Sequence, residues 1–284
     1  MYIAQGIHGL AYGMTLFLIA AGLTLIFGMM GILNLAHAGF FMLSAYFAYQ
    51  ISVWGGNYWM AFILAPTITG LCGVLFERLI LRKIVATGLE NQLLVTQAMV
   101  FVLIGLVQVK WGTEYLPFSA PKSLNGLVNI AGLQYPEYRL FMIGVSFVVL
   151  ILMILILFKT RLGMIVRAAV SDAEMVDALG INVPLVFMVV FGIGTWMAGL
   201  AGVVIAPIMS VHPYLGDQVG MDAFVVVITG GLGSLGGAFL VAIVLGLLNA
   251  YGIQFVSQYA MVLTFLFMAV VLAIKPTGLF GERG

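Results

Sequence analysis

The chain alternates long apolar tracts with short polar ones. No Asp, Glu, Lys or Arg precedes Glu77, and none lies between Asp222 and Lys275. A helix needs about 20 apolar residues to cross the hydrocarbon core of a bilayer. Tracts near 7–30, 35–54, 58–76, 93–111, 139–158, 184–208 and 256–274 are read as such spans. The short alternating strands of a transmembrane barrel are missing, whereas a helix pairs its own backbone groups in lipid. A further tract, 222–252, is apolar but interrupted by GGLGSLGGA at 230–238. The pattern predicts an all-α, polytopic integral membrane protein of about eight membrane segments, one of them a broken or re-entrant Gly-rich segment. No linker is long enough to separate domains, so 1–284 reads as a single transmembrane domain.

Composition agrees. Only 7% of residues are charged and 63% are hydrophobic, against about 25% charged in soluble proteins, so a soluble globule could not solvate its surface. Charge then orients the spans, because cytoplasmic loops are enriched in Lys and Arg. Arg78, Arg82 and Lys83, then Lys159, Arg161 and Arg167, then Lys275 and Arg283 mark three cytoplasmic regions. Lys110, Lys122 and Arg139 flank the 112–138 loop outside, and parity puts the N-terminus outside as well. The same parity requires 222–252 to begin and end outside, as a pair of shorter helices turning at GGLGS. The loop 112–138, with Pro117, Pro121 and Pro136, reads as an irregular connector. MYIAQGIHG carries no cationic leader signal. The net charge of +1 suggests no nucleic-acid surface, and the lone Cys72 can form no internal disulfide.

Three stretches carry candidate chemistry. Gly231, Gly233 and Gly236 fit the G-x-G-x-x-G pattern of dinucleotide sites, after VVVITGG, which could pass for a strand. Such a site also needs an acidic residue about 20 positions on, and nothing after Asp222 is acidic until Glu282. No Gly-Lys-Ser/Thr follows either. The remaining readings are close helix packing and a broken helix lining a solute path. In GMMGILNLAHAGF (28–40), Asn34 and His37 are polar groups in an apolar run. Asn34 is expected to cap a helix beginning at Leu35 after a break at Gly31, or to stand with His37 beside the path. No second His, Cys or carboxylate lies nearby to complete a metal site. The third stretch, 159–184 (KTRLGMIVRAAVSDAEMVDALGINVP), is the most polar in the chain. Ser171 and Glu174 have capping-box spacing, and Asp172, Glu174 and Asp177 suit the positive end of a helix dipole. Gly180 ends the helix and Pro184 opens the next span. A short cytoplasmic helix of about two turns is expected, as a plain surface loop or as a docking element.

AAGLTLIFGMMGILNLAHAGFFMLSAYFAY resembles the first-span signature of branched-chain amino acid ABC transporter permeases of the LivH type. RAAVSDAEMVDALGINV resembles their cytoplasmic coupling loop; GGLGSLGGAFLVAIVLGLLN and KPTGLFGER resemble their C-terminal signatures. The resemblance implies a permease of a bacterial or archaeal cytoplasmic membrane, with no cofactor of its own, since ATP would bind partner subunits. It implies a second permease subunit (a LivM-like paralogue or another copy), two cytoplasmic ATPase subunits and an extracytoplasmic solute-binding protein. Coupling to the ATPase is expected at Arg167, Ala168, Ser171, Asp172, Glu174, Ala178, Leu179 and Gly180 of the 159–183 loop. The candidate translocation path is Asn34, His37, Gly230, Gly231, Gly233, Ser234 and Gly236. Relatives of the family also carry urea and short amides. An ion-coupled secondary transporter is the competing class, although intramembrane ionisable residues are scarce. No filter-like ring suggests a channel, and no nucleophile–base pair suggests an enzyme.

Overall fold

A computed structural model describes residues 2–130 and 132–281. Glu282 and Arg283, the latter counted among the cytoplasmic cations, lie outside the described residues. The helices are α1 (Tyr2–Met30), α2 (Ala36–Val53), α3 (Tyr58–Phe76), α4 (Arg82–Ile84), α5 (Leu89–Trp111), α6 (Glu137–Lys159), α7 (Arg161–Ser171), α8 (Ala173–Ala178), α9 (Val183–Met209), α10 (Leu215–Gly230), α11 (Leu235–Val256) and α12 (Ala260–Ile274). Among the described residues, six helical segments are long and apolar enough to cross a membrane. They contain α1, α3, α5, α6, α9 and α11. Helices α2, α10 and α12 are shorter.

Glycines let the central helices meet backbone to backbone. Helices α1 and α11 run antiparallel: a Cβ on Gly28 would lie 2.8 Å from the Gly233 Cα, and one on Gly13 would lie 2.5 Å from the Ala242 carbonyl oxygen. Helix α9 packs on α1 through Gly194, whose missing Cβ would meet Ile26, and on α2 through Gly202, whose missing Cβ would meet the Phe41 carbonyl. Lipid offers no hydrophobic drive between spans, so close van der Waals approach of small residues is what holds them.

Gly31, with φ +63°, ends α1. The non-helical residues 31–35 then climb back along α1, and His37 returns to the Ile19 carbonyl at 3.1 Å. Five residues reach at most roughly 17 Å, and this stretch makes the ascent although Gly31 and Leu35 are not extended. Helix α2 therefore begins deep within the bundle. Its first turn receives no side-chain cap. The expected capping role of Asn34 is thus corrected: its backbone carbonyl accepts from the His37 N–H at 3.2 Å, but its side chain does not cap the helix.

The Gly-rich segment is a hairpin of two helices, α10 and α11, turning at GGLGS as expected, while six helical segments among the described residues are long and apolar enough to span, against about eight read from the sequence. The turn sits at the end of the bundle that carries the cation-rich loops, the end the charge bias assigns to the cytoplasm, and the C-terminal tail seals it: Leu279 N–H donates to Thr229 O at 2.9 Å and Phe280 N–H to Gly230 O at 3.0 Å. Both far ends of the hairpin point toward the opposite end, which parity assigns to the outside. Depth is set by α11, which follows α1 along its whole length. The outer 112–138 loop is more ordered than a plain connector. It carries an antiparallel hairpin, β1 (Leu127–Ile130) with β2 (Leu133–Pro136), in the register Val128 opposite Tyr135.

Candidate functional site

At the cytoplasmic end, α6 turns sharply into α7. Thr160 makes this turn: its hydroxyl accepts from Gly163 N–H at 3.1 Å, and only a glycine fits at 163, beside the Ile156 carbonyl. The stretch 161–171 is helical, where only a loop ahead of the short helix was expected. Helix α8 follows, with six residues. Its cap is Asp172, whose carboxylate accepts from Met175 N–H at 2.9 Å. Ser171, expected as the cap, is instead the last residue of α7. Gly180 ends the unit at φ +85°, and Asn182 caps α9 through Leu185 N–H at 3.0 Å. Ala169, Val176 and Val183 form a small core of their own against Ile165, Ile181 and Phe187. Arg167, Ala168, Ser171, Asp172, Glu174, Ala178, Leu179 and Gly180 are all exposed, and Met164, Met175 and Leu179 add exposed apolar surface.

A second tie holds this unit to the bundle. Helix α3 passes into α4 through a π turn, Glu77–Leu81. There the buried Glu77 carboxylate accepts from Arg82 at 3.0 and 3.2 Å, and Arg82 also donates to the Pro184 carbonyl at 2.9 Å. Arg82 thus links α3 to the first turn of α9, just beyond α8.

The candidate path residues fall into three groups. Gly230 and Gly231 close the hairpin and meet the C-terminal tail, so packing fully occupies them. Gly233, Ser234 and Gly236 line a cavity of about 670 Å³ at the cytoplasmic end, with Thr24, Gly28 and Arg167. Ser234 also caps α11, accepting from Gly237 N–H at 3.1 Å. Asn34 and His37 lie deeper and are almost fully buried. The Asn34 amide and His37 Nδ1 find no partner among the described residues. The segment ahead of the glycines is helix α10 and not a strand, so the strand–turn–helix setting of a dinucleotide site is missing.

Sequence reasoning did not identify a second cavity, of about 480 Å³, at the outer end. Its walls come from α1, α6, α9, α10 and α11, and its apolar part includes Ile205, Ile208, Met209, Val219 and Ile253. Its polar groups are Gln5, His8, Tyr12, Thr15, Arg139, Gln218 and Asn249. The Arg139 guanidinium donates to His8 Nδ1, and the Tyr12 hydroxyl donates to Asp222 at 2.6 Å. Next to Gln218, His212 stacks with Tyr115 at 4.5 Å. Burial holds its imidazole pKa below the usual value, against a smaller opposing effect of the Gln218 hydrogen bond. The only local signals in the sequence were Asp222, an acid at the edge of an apolar tract, and Arg139, which had served only to orient the chain.

Residues 7–272 match the family described as "branched-chain amino acid transport system / permease component". The chain is 29% identical to the high-affinity branched-chain amino acid transport system permease protein BraD of Pseudomonas aeruginosa, over 99% of this chain and 96% of that one. It is 28% identical to LivH of Escherichia coli, over 99% and 96%. Among solved structures it is similar to PsaBC from Streptococcus pneumoniae in complex with Fab, with a TM-score of 0.53 at 14% identity, covering 96% of this chain and 92% of that one. This last likeness concerns the fold alone. With its apolar spanning helices, the chain is a multi-pass protein of the cytoplasmic membrane, and it belongs to the family of permease components of branched-chain amino acid transport systems.

Proposed function

We propose that the chain is the membrane-spanning permease subunit of an ABC importer that carries branched-chain or related amino acids inward. Separate cytoplasmic ATPase subunits would power it, a second permease subunit would complete the pore, and an extracytoplasmic binding protein would deliver the cargo. The observation that carries this reading is the α7–α8 unit: a capped, exposed helix pair between two spanning helices, at the cation-rich end. A moving ATPase can push on such a unit. The push would pass to α9 through the small Val176–Val183 core, and on from α9 to α3 through the Arg82–Pro184 tie. Coupling of this kind needs contacts that differ between two states. Asn34 and His37, buried with polar atoms that have no partner among the described residues, would serve as a polar waypoint along the path.

Co-expression with the ATPases, the second permease and the binding protein tests this. The ATPase should co-purify, and proteoliposomes should take up leucine, isoleucine and valine only with ATP and an intact ATPase. Ala178→Trp should abolish stimulation of the ATPase while the protein still inserts and assembles. Uptake driven by an ion gradient with the ATPase disabled would overturn the reading in favour of a secondary transporter. Preference for urea or short amides would change the cargo and keep the machine.

A further inference from the structure

The outer cavity has the composition of a small-molecule site. Such sites occupy about 300–1,000 Å³, with mostly apolar walls and a few convergent polar groups. Of the side chains lining this cavity, one carries a fixed charge, Arg139. His8 Nδ1 accepts one of the five guanidinium donors and must itself be unprotonated to do so. The remaining donors suit a carboxylate, for which the planar guanidinium fork is matched. One turn along α1 from His8, Tyr12 commits its only proton to Asp222. The phenol oxygen is then left to accept, and the carboxylate behind it strengthens that role. Gln5 is arranged similarly: its amide N–H donates to the Ala250 carbonyl, leaving its oxygen as an acceptor. Arg139 thus offers donors from α6, and Tyr12 and Gln5 offer acceptors from the α1 face on either side of His8, with Ile205, Ile208, Met209, Val219 and Ile253 supplying the apolar part.

We propose that this cavity is the seat that receives a zwitterionic apolar amino acid from the outer face, with Arg139 taking its carboxylate, Tyr12 and Gln5 its ammonium, and the apolar wall its side chain. The inference rests on the permease reading above and adds to it a location and a residue set. It moves the substrate-recognising groups away from Gly230–Gly236, which lie at the opposite end of the bundle.

Cysteine protection in the complete transporter tests the seat. Cys72→Ser makes the chain cysteine-free, and Met209→Cys or Ile253→Cys then places one thiol in the wall. A charged, membrane-impermeant thiol reagent applied outside should label either thiol. Leucine should slow labelling about tenfold, whereas leucinamide, which lacks the carboxylate, should fail to protect. Arg139→Gln should raise the half-protecting leucine concentration at least tenfold, Arg139→Lys should recover part of that, and Tyr12→Phe should raise it about threefold. If neither thiol is reached, or leucine protects neither while the unmodified transporter takes up leucine, the seat is wrong and the permease reading stands. Protection by leucinamide equal to that by leucine overturns the carboxylate assignment, even where Arg139 variants fail to assemble. Protection without any ATP-driven uptake would support the seat and overturn the permease reading instead.

Discussion

Two regions of the molecule are held together by opposite means. Along α1 and the segment from Gly233 through α11, backbone meets backbone at glycines 9, 13, 28, 233 and 246, with few side chains such as the Phe17–Phe239 pair between. At α7–α8, Ala169 and Val176 form a separate small core with Val183 of α9, Gly163 and Val166 of α7 pack toward the bundle, and most of the rest faces outward. The first contact has no slack: the chain cannot shift there without colliding with a carbonyl. The second can be displaced at the expense of a few apolar contacts. A transporter needs both, a frame that keeps its shape and a unit that can be moved. The difference also shows where each force acts. Small-residue packing works in lipid, whereas the hydrophobic effect works only where water is the alternative.

The sharpest way to break the comparison is to fill the frame. Gly13→Leu puts a side chain where even a Cβ would lie 2.5 Å from the Ala242 oxygen. Overpacking usually costs about 1–3 kcal/mol, and here the obstacle is backbone, so the loss should be at or above the top of that range. Size-exclusion profiles and melting curves in detergent should show little monodisperse protein. Gly105→Leu is the control, since nothing lies within 4 Å of that position. Its effect should stay within about 0.5 kcal/mol. Equal damage from both variants would mean that the glycine contacts do not hold the frame.

A smaller effect is expected at the tie between α3 and α9, just beyond the movable unit. Arg82→Met leaves the Glu77 carboxylate, 3% exposed, without its cation. Stranding a buried charge costs about 3–5 kcal/mol. Arg82 itself is 38% exposed, and solvent screening there brings the expected loss nearer 2 kcal/mol. The variant also releases the Pro184 carbonyl, so ATPase stimulation should fall more than stability does. Glu77→Gln combined with Arg82→Met should restore the melting temperature and leave the coupling weak. Recovery of both together would make Arg82 a purely structural residue.

Much of the frame was legible in the sequence. The apolar tracts matched helices to within a few residues for most spans, because twenty apolar residues have one stable form in a bilayer. The end of α8 at Gly180 was also legible, since a positive φ there calls for glycine. The outer cavity was not. Its residues run from Gln5 to Ile253 on five helices, and no local spacing encodes a meeting of that kind. The position of the GGLGS turn was half legible: parity fixed which face its flanks point to, whereas depth came from the α1–α11 contact. Asn34 was misread because a polar residue ahead of a helix suggests a cap, and here the helix starts so deep that the amide is enclosed without reaching an N–H.

The smallest effect tests the movable unit and separates two readings of its cap. Ser171 has the right spacing to Glu174 for a capping box, yet α7 runs through Ser171 and its backbone is already helical there. Asp172, at φ −156°, has the extended backbone a cap requires, and its carboxylate reaches Met175 N–H. Replacing such a cap by alanine costs about 1 kcal/mol, and α8 has only six residues over which to absorb it. Because its core is separate from the bundle, the loss should remain local. Asp172→Ala should speed amide exchange across 173–178 about fivefold, with no change in global melting, and Ser171→Ala should leave both unchanged. If Asp172→Ala lowered the melting temperature as well, α8 would be part of the frame, and a push on it would have to move the whole bundle.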